Sequence, residues 1–150
     1  YAQAGALIHS LLLDETFSAL SLAERNAVQE RVLNEIKGRM MEDIVLLEVR
    51  KTAPSTMEAF KFKFDAGGEF DMVIYDKTNQ NCRIYEIKHS AEIVPQQIRH
   101  LIDEKKCEQT KHRYGPITGK YVLYRGKEQV VQDVQYRNVE TYLREIKDKK

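Results

Sequence analysis

The sequence predicts an α/β (α+β) domain in which a central mixed sheet is flanked by helices. Three observations support this fold class: a long helical run comes first, alternating apolar runs follow it, and further helical and strand-like runs then take turns. The 150 residues suit one domain, 1–150, with a sizeable core. We expect residues 1–20 to form an N-terminal helical extension, within which Ala6–Leu13 is a short apolar helix.

The first long element is a helix that begins near Ser21. Ser21 and Glu24 have the spacing of a capping box, with serine at the cap and glutamate three residues later. Apolar residues then recur at every fourth position, which predicts a long amphipathic helix: Val28, Val32, Ile36, Met40 and Ile44. The proline-containing turn "TAPST", residues 52–56, ends it.

Three strands are predicted next. "AFKFKFD", residues 59–65, alternates between a phenylalanine face and a lysine face. "EFDMVIYD", residues 69–76, and "CRIYEIK", residues 82–88, follow and are joined by the turn-rich "KTNQN". We therefore expect the second and third strands to be antiparallel neighbours.

The rest of the chain predicts a helix, two strands and a last helix. "VPQQIRHLIDEKKCEQT" is interpreted as one helix with Pro95 in its first turn. "GKYVLYRG" predicts a strand bounded by glycines, and "VVQDVQY" predicts one short last strand. Asn138 is expected to cap the closing helix.

Composition sets only loose limits on function. The formal net charge is +1, so no global basic field marks a nucleic-acid binder, although a local patch would suffice. Cys82 and Cys107 have no metal-site or secreted-scaffold spacing, which favours a cytoplasmic protein without disulfides. We expect no membrane partner, because no apolar run reaches the ~18 residues of a membrane span. Since the chain opens on Tyr1, we expect it to be a fragment of a longer protein.

Carboxylates occupy strand positions where core residues are expected. Residues two apart in a strand share a face, so Glu86 and Lys88 point the same way, as do Glu69 and Asp71. If the two strands pair, Asp71 comes within reach of Glu86. Neighbouring carboxylates repel unless a cation lies between them, and hard oxygen ligands suit Mg²⁺ or Mn²⁺. The pattern therefore predicts a divalent-metal site at which Lys88 can orient a water or offset developing charge.

A simpler interpretation stays open for this motif. Glu86 and Lys88 could be a surface charge pair worth less than ~1 kcal/mol. The same spacing recurs in "EKK", residues 104–106, where a solvated helix face explains it. The metal interpretation is favoured because Ile84, Tyr85 and Ile87 are typical of a buried strand, in which unpaired charge is unfavourable.

Glu42 is a further candidate, located on the long helix. Its neighbours one turn later are Val45 and Leu46, so the polar stripe of the helix becomes apolar around it. A carboxylate in such surroundings is a candidate ligand or hydrogen-bond acceptor. An ordinary surface glutamate fits the same pattern equally well.

These residues resemble the PD-(D/E)xK nuclease superfamily. More narrowly, "GRMMEDIVLLEV", "GGEFDMVIYD" and "IYEIKHS" resemble the C-terminal nuclease-like domain of prokaryotic AAA-type ATPases, over roughly residues 38–143. The resemblance implies a restriction-endonuclease-like core that hydrolyses DNA with Mg²⁺ or Mn²⁺. It implies that Asp71 and Glu86 bind metal, that Lys88 serves the water, and that Glu42 ligates or organises a second ion. Gln97 would match a polar position near the site, and Phe70 stands where the name-giving proline would be.

Two other functions remain as alternatives. The domain could be a catalytically silent nuclease-fold module that binds nucleic acid or a partner, or a structural or regulatory domain whose charges form a buried network. The resemblance implies an ATPase domain in the parent chain, and no G-x-x-x-x-G-K-[ST] motif occurs in these 150 residues. The basic run "KKCEQTKHR", residues 105–113, could contact phosphates but is more simply a solvated helix end.

Overall fold

The computed structural model describes residues 5–6, 8–10 and 13–148. The chain falls into two compact units, Tyr1–Met40 and Met41–Lys150. In the first unit, residues 5–6 and 8–10 are helical, and the remainder of the helix predicted over Ala6–Leu13 lies largely outside the described residues. Helix α1 spans Glu15–Ala19 and is capped by Asp14, whose side chain accepts the Thr16 N–H at 2.8 Å.

Helix α2 spans Leu22–Thr52 and begins with the predicted capping box. The Ser21 N–H donates to Glu24 Oε2 at 2.9 Å, and the Glu24 N–H donates to Ser21 Oγ at 3.4 Å. The two residues thus satisfy each other's free backbone donors, which explains where the helix starts.

The predicted apolar stripe of α2 is wrong at its C-terminal end. The buried residues there are Val45, Leu46 and Val49, whereas Ile44 is 44% exposed. Because successive helical residues lie about 100° apart, the face that packs on the sheet is offset from the every-fourth-residue stripe.

Six strands form one mixed sheet: β1 Met57–Lys63, β2 Glu69–Asp76, β3 Asn81–Ile87, β4 Ile117–Tyr124, β5 Gln129–Val131 and β6 Val134–Asn138. Their spatial order is β1-β2-β3-β4-β6-β5. The β2–β3 pair is antiparallel, as predicted, while β3–β4 and β4–β6 are parallel. The predicted fold class, a mixed sheet flanked by helices, is confirmed.

The single helix predicted from residue 94 is wrong. The structure has a short 3-10 helix at Pro95–Ile98 and a separate helix α3 at Glu104–Tyr114. Asp103 has an extended backbone and caps α3 by accepting the Lys106 N–H at 3.2 Å. A new cap inside the predicted helix therefore divides it.

The end of the chain also has one strand more than predicted. "VVQDVQY" contains parts of both β5 and β6, which are antiparallel neighbours. Gln132 between them has a φ of 55°, a left-handed conformation that reverses the chain. Helix α4, Val139–Asp148, begins as predicted, since Asn138 Oδ1 accepts the backbone N–H groups of Glu140 and Thr141 at 3.0 and 3.2 Å.

Apolar residues cover both faces of the sheet. One core includes Ile98 and Leu101 beside the 3-10 helix, and the other includes Val45 from α2 and Tyr142 from α4. Cys82 and Cys107 are buried and free. In the part of the chain that the structure describes, each helix is too short or too polar to cross a membrane.

Candidate metal centre

The candidate site lies where strands β2 and β3 separate. Their antiparallel ladder ends at the pair Met72 and Tyr85, so Asp71 and Glu86 come next in register. At this point Asp71 Oδ2 accepts a 2.7 Å hydrogen bond from the backbone N–H of Ile87, in place of a carbonyl from the neighbouring strand. The structure therefore brings together the two carboxylates that strand alternation predicted to be close.

Both carboxylates bind the ammonium group of Lys88. Its Nζ lies 3.0 Å from Asp71 Oδ2 and 2.6 Å from Glu86 Oε2. Burial alone would lower the pKa of Lys88, but the negative charges of Glu86 and Asp71 outweigh burial and raise this pKa to about 12. Lys88 is therefore a fixed cation at neutral pH.

Glu86 carries a buried oxygen without a partner. Its side chain is only 4% exposed, and its Oε1 makes no hydrogen bond within the described residues. Burial, followed by the negative charge of Asp71, raises the pKa of Glu86 to about 8. Because buried polar atoms are almost always satisfied in proteins, an orphaned carboxylate oxygen indicates a proton or a ligand that the chain does not supply.

Glu42 approaches the same site from α2. Its Oε2 lies 2.9 Å from Lys61 Nζ on β1, and the same ammonium lies 3.3 Å from Asp43 Oδ1. Burial and the charge of Asp71 raise the pKa of Glu42, although Lys61 opposes the shift. Glu42, whose neighbours one turn later on α2 are apolar, is thus a half-buried carboxylate and not a freely solvated one.

Glu69 joins the site, although sequence reasoning gave it no role. One carboxylate oxygen each from Glu42, Glu69 and Asp71 lies within 4.8 Å of the others, a spacing at which they could hold one ion. The signal was present in the sequence, because Glu69 and Asp71 are two residues apart on one strand. The group becomes a candidate metal site only because Glu42, on helix α2, lies close to both residues. Strand alternation cannot predict that contact.

We call four residues together the acidic cluster: Glu42, Glu69, Asp71 and Glu86. Lys61 and Lys88 are the ammonium groups that bind it most closely. With all six groups ionised, four negative and two positive charges leave a net charge of −2. One Mg²⁺ or Mn²⁺ would balance this charge, and carboxylate oxygens are the ligands that both ions prefer. The donor set and the orphaned Glu86 oxygen thus fit a divalent cation.

The acidic cluster opens on a cleft of about 430 Å³. Glu69, Asp71, Glu86 and Lys88 line one part of it, and residues 96–97 and 99–100 line another. Gln97, expected near the site from the family resemblance, does line this cleft. Its side chain is nevertheless held by the backbone, accepting the Val94 N–H at 3.2 Å and donating to the Glu92 carbonyl at 2.9 Å. Gln97 therefore shapes the cleft wall.

Comparison with known proteins gives a family and no further relative. Residues 37–142 match the model of a family described as a domain of unknown function, DUF4143. The matched range contains all members of the acidic cluster. No curated protein and no solved structure matches the chain.

Proposed function

The chain belongs to the DUF4143 family of domains of unknown function, and we propose from the chemistry of its cleft that it is a metal-dependent nuclease domain that hydrolyses phosphodiester bonds of DNA. Glu86 carries this proposal, because its buried Oε1 has no partner and its Oε2 shares an ammonium group with Asp71. The pair faces an open cleft rather than a closed core. A buried carboxyl group with a raised pKa, next to a second buried acid in a cleft, is typical of a catalytic or metal-binding site.

Two parts of the acidic cluster would hold Mg²⁺ or Mn²⁺. Asp71 and Glu86 offer buried oxygens from adjoining strand ends, and they are the first ligand pair. Glu42 and Glu69 each place a carboxylate oxygen within 4.8 Å of one from Asp71, and they would ligate or organise a second ion. Mg²⁺ usually retains several waters and needs only one or two protein carboxylates.

The chain's own residues supply position and charge for hydrolysis. When bound, the divalent cation supplies positive charge for the phosphoryl oxygen and acidifies a water. Lys88, held at 2.6 Å from Glu86 and still 30% exposed in its side chain, can orient that water and offset negative charge in the transition state. Asp71 keeps the Ile87 N–H and the Lys88 ammonium in place through one oxygen.

A catalytically silent binding module is the second candidate, and the lysines favour it. Lys88 already bridges Asp71 and Glu86, and Lys61 already pairs with Glu42. A chain that had lost turnover could keep this partly neutralised network and use the cleft to dock nucleic acid or a partner. Retention of DNA without cleavage would distinguish it from the nuclease.

We also infer an association with an AAA-type ATPase. DUF4143 domains are found in AAA-ATPase-associated proteins, in agreement with the resemblance noted for residues 38–143. The nucleotide-binding part would lie in the parent chain, outside these 150 residues. Cleavage that requires the ATPase domain would be the sign of coupling between the two.

Cleavage of labelled single-stranded and duplex DNA in Mg²⁺ or Mn²⁺ tests the proposal. We expect Asp71→Asn and Glu86→Gln each to lower the cleavage rate by at least ~100-fold, since they remove a ligand or charge that acts in the transition state. Asp76→Asn is the matched control, because Asp76 lies at the opposite end of β2 and closes a turn there.

The outcomes separate the candidates. Metal-dependent cleavage by the wild type and the Asp76→Asn variant, but not by the site variants, supports the nuclease. DNA binding without cleavage, and unaffected by Glu86→Gln, supports the silent module. Equal cleavage by all four proteins would identify a contaminating enzyme and contradict the proposed site.

A further inference from the structure

Three basic side chains meet beside the cleft, around a histidine that lines its wall. They are Arg99, His100 and Lys106, and we call them the cationic trio. Arg99 Nε lies 3.3 Å from His100 Nε2, and Lys106 Nζ lies 2.7 Å from His100 Nδ1. Arg99 and His100 line the same cleft as Asp71 and Glu86.

The trio has more donors than acceptors. A neutral imidazole has one acceptor nitrogen and one N–H, and a protonated imidazole has no acceptor. The ring of His100 therefore accepts from Arg99 or from Lys106, but not from both. Burial, and then the charges of Lys106 and Arg99, lower the pKa of His100 and keep the ring neutral at neutral pH. One cationic donor consequently faces an N–H in either tautomer.

Acidic residues do not resolve this excess. Within residues 41–148, neither Arg99 nor Lys106 has a carboxylate oxygen within 4.0 Å. The negative charge of Asp103 opposes the lowering of the His100 pKa. Its Oδ1, however, accepts the backbone N–H of Lys106 as the cap of helix α3. Two full positive charges therefore stand together, with the shared ring between them.

The chain makes room for this arrangement next to the acidic cluster. A side chain at Gly68 would place its Cβ 2.6 Å from Lys106 Nζ and 2.8 Å from His100 Cε1. Gly68 also has a φ of +83°, which favours glycine. His100 and Lys106 thus pack directly against the residue that precedes Glu69, and Lys106 additionally lies 5.3 Å from the centre of the Phe64 ring.

We propose that the cationic trio is a phosphate-binding site, which holds a backbone phosphate of the DNA strand on which the acidic cluster acts. An oxyanion would accept from Arg99 and Lys106 together and so supply the acceptor that His100 cannot. Arginine binds phosphate through paired N–H donors, and lysine adds a point charge. The trio would hold the strand by a flanking phosphate, while the metal ligands face the bond to be cut.

This site rests on the proposed nuclease function for its substrate class, but binding can be measured without turnover. The affinity of fluorescein-labelled single-stranded and duplex DNA is measured by anisotropy in EDTA and in Ca²⁺, over a range of salt. We expect Arg99→Gln and Lys106→Gln each to weaken binding about tenfold and to reduce the salt slope by about one. Lys105→Gln is the matched control, since Lys105 is exposed on the same helix, whereas Lys106 is half-buried and lies 2.7 Å from His100 Nδ1.

Each result bears on the site independently of hydrolysis. A loss of DNA affinity in Arg99→Gln and Lys106→Gln, but not in Lys105→Gln, supports the phosphate site even if no metal binds and no DNA is cut. Equal loss in Lys105→Gln, no change in either trio variant, or no DNA binding by the wild type in either buffer overturns it. Unchanged thermal unfolding of the variants excludes misfolding as the cause.

A second measurement needs no variant. Inorganic phosphate is titrated into the wild type while the imidazole resonances of His100 are followed by NMR. A saturable shift, with phosphate displacing DNA only at concentrations far above those of the DNA, supports a backbone phosphate as the ligand. Binding of inorganic phosphate as tight as that of DNA would instead assign the site to free phosphate, and no shift would contradict the site.

Discussion

Each end of the β2–β3 strand pair has an aspartate, and the two aspartates differ in burial and in their hydrogen-bond partners. At the turn end, Asp76 is only partly buried. The Asn79 side chain and the backbone N–H groups of Asn79 and Thr78, at 3.0 and 2.9 Å, donate to its carboxylate and lower its pKa. At the other end, Asp71 is buried and bonds to Ile87 and Lys88, 16 and 17 residues away. Local hydrogen bonds account for Asp76. Asp71 belongs to a network that reaches beyond local structure.

The difference shows what kind of evidence a site needs. A carboxylate at a turn is explained by its own neighbours and needs no ligand. Asp71 lies instead beside Glu86, whose Oε1 has no partner among the described residues. The buried end of the strand pair therefore has a hydrogen-bond acceptor that the described residues do not satisfy. A binding site differs from a structural turn in this respect.

The largest expected effect is on stability, from Asp71→Ala. The change leaves the buried Ile87 N–H without an acceptor and should lower the free energy of unfolding by about 3 kcal/mol. Urea denaturation in EDTA measures this loss, with Asp76→Ala as the comparison at the turn end. A loss from Asp76→Ala as large as that from Asp71→Ala would break the contrast between the two ends.

Lys88→Met tests whether a cation is what the buried end requires. Without metal, the buried Asp71 carboxylate would lose its bound cation and Glu86 would be held in its protonated form, so we expect a loss of about 2 kcal/mol. Excess Mg²⁺ should restore much of the loss, because a divalent ion can replace the ammonium charge. Unfolding curves in EDTA and in Mg²⁺ check both parts, and a loss that Mg²⁺ does not alter would contradict the metal site.

Glu86→Gln should stabilise the metal-free protein. The pKa of Glu86 is raised from 4.5 to about 8 in the folded state, so between these values the unfolded state has lost a proton that the folded state keeps. Stability of the wild type therefore falls as pH rises from about 4.5 to 8. The variant should lack this fall and therefore be more stable than the wild type at pH 8.

Thermal unfolding of both proteins in EDTA from pH 5 to 9 measures that difference. Asp76→Asn is again the control. Because the pKa of Asp76 is lowered, its titration should change stability only at acidic pH, below the range measured. If the stabilities of the wild type and of Glu86→Gln depend on pH in the same way, Glu86 does not have the raised pKa that its burial implies.

The smallest effect is expected from Lys77→Gln. Lys77 Nζ lies 2.6 Å from Glu58 Oε1, close to the distance at which Lys88 binds Glu86, but both side chains are about half exposed. Solvated ion pairs contribute little, so the change should stay within ~0.5 kcal/mol. Denaturant unfolding compared with Lys88→Met would show whether burial, rather than distance, sets the importance of an ion pair here.

Strand alternation predicted the centre of the site because it is a local property. Residues two apart share a face, and a turn of known length sets the register, so Asp71 and Glu86 could be placed together from sequence. The closing helix was likewise predicted from its cap at Asn138. These features depend on near neighbours along the chain.

Other features depend on contacts between distant elements, which periodicity does not reveal. Glu69 comes close to Glu42, which lies on α2. Lys106 reaches His100 because the 3-10 helix ends at Ile98 and Asp103 starts a separate helix. The basic run 105–113 was interpreted as a solvated helix end, yet Lys106 lies half-buried beside the cleft. The same unpredicted cap thus accounts for the error in the helix and for the omission of the trio.

Calorimetric titration of Mn²⁺ tests most directly the central claim that the buried end of β2–β3 is a cation site. Wild type is compared with the Asp71→Asn/Glu86→Gln double variant, which keeps side-chain shape and removes two charges. We expect saturable binding by the wild type and at least tenfold weaker binding by the variant. Equal binding by both proteins, or no binding by the wild type, would contradict the claim and leave the acidic cluster as a network satisfied by Lys61 and Lys88.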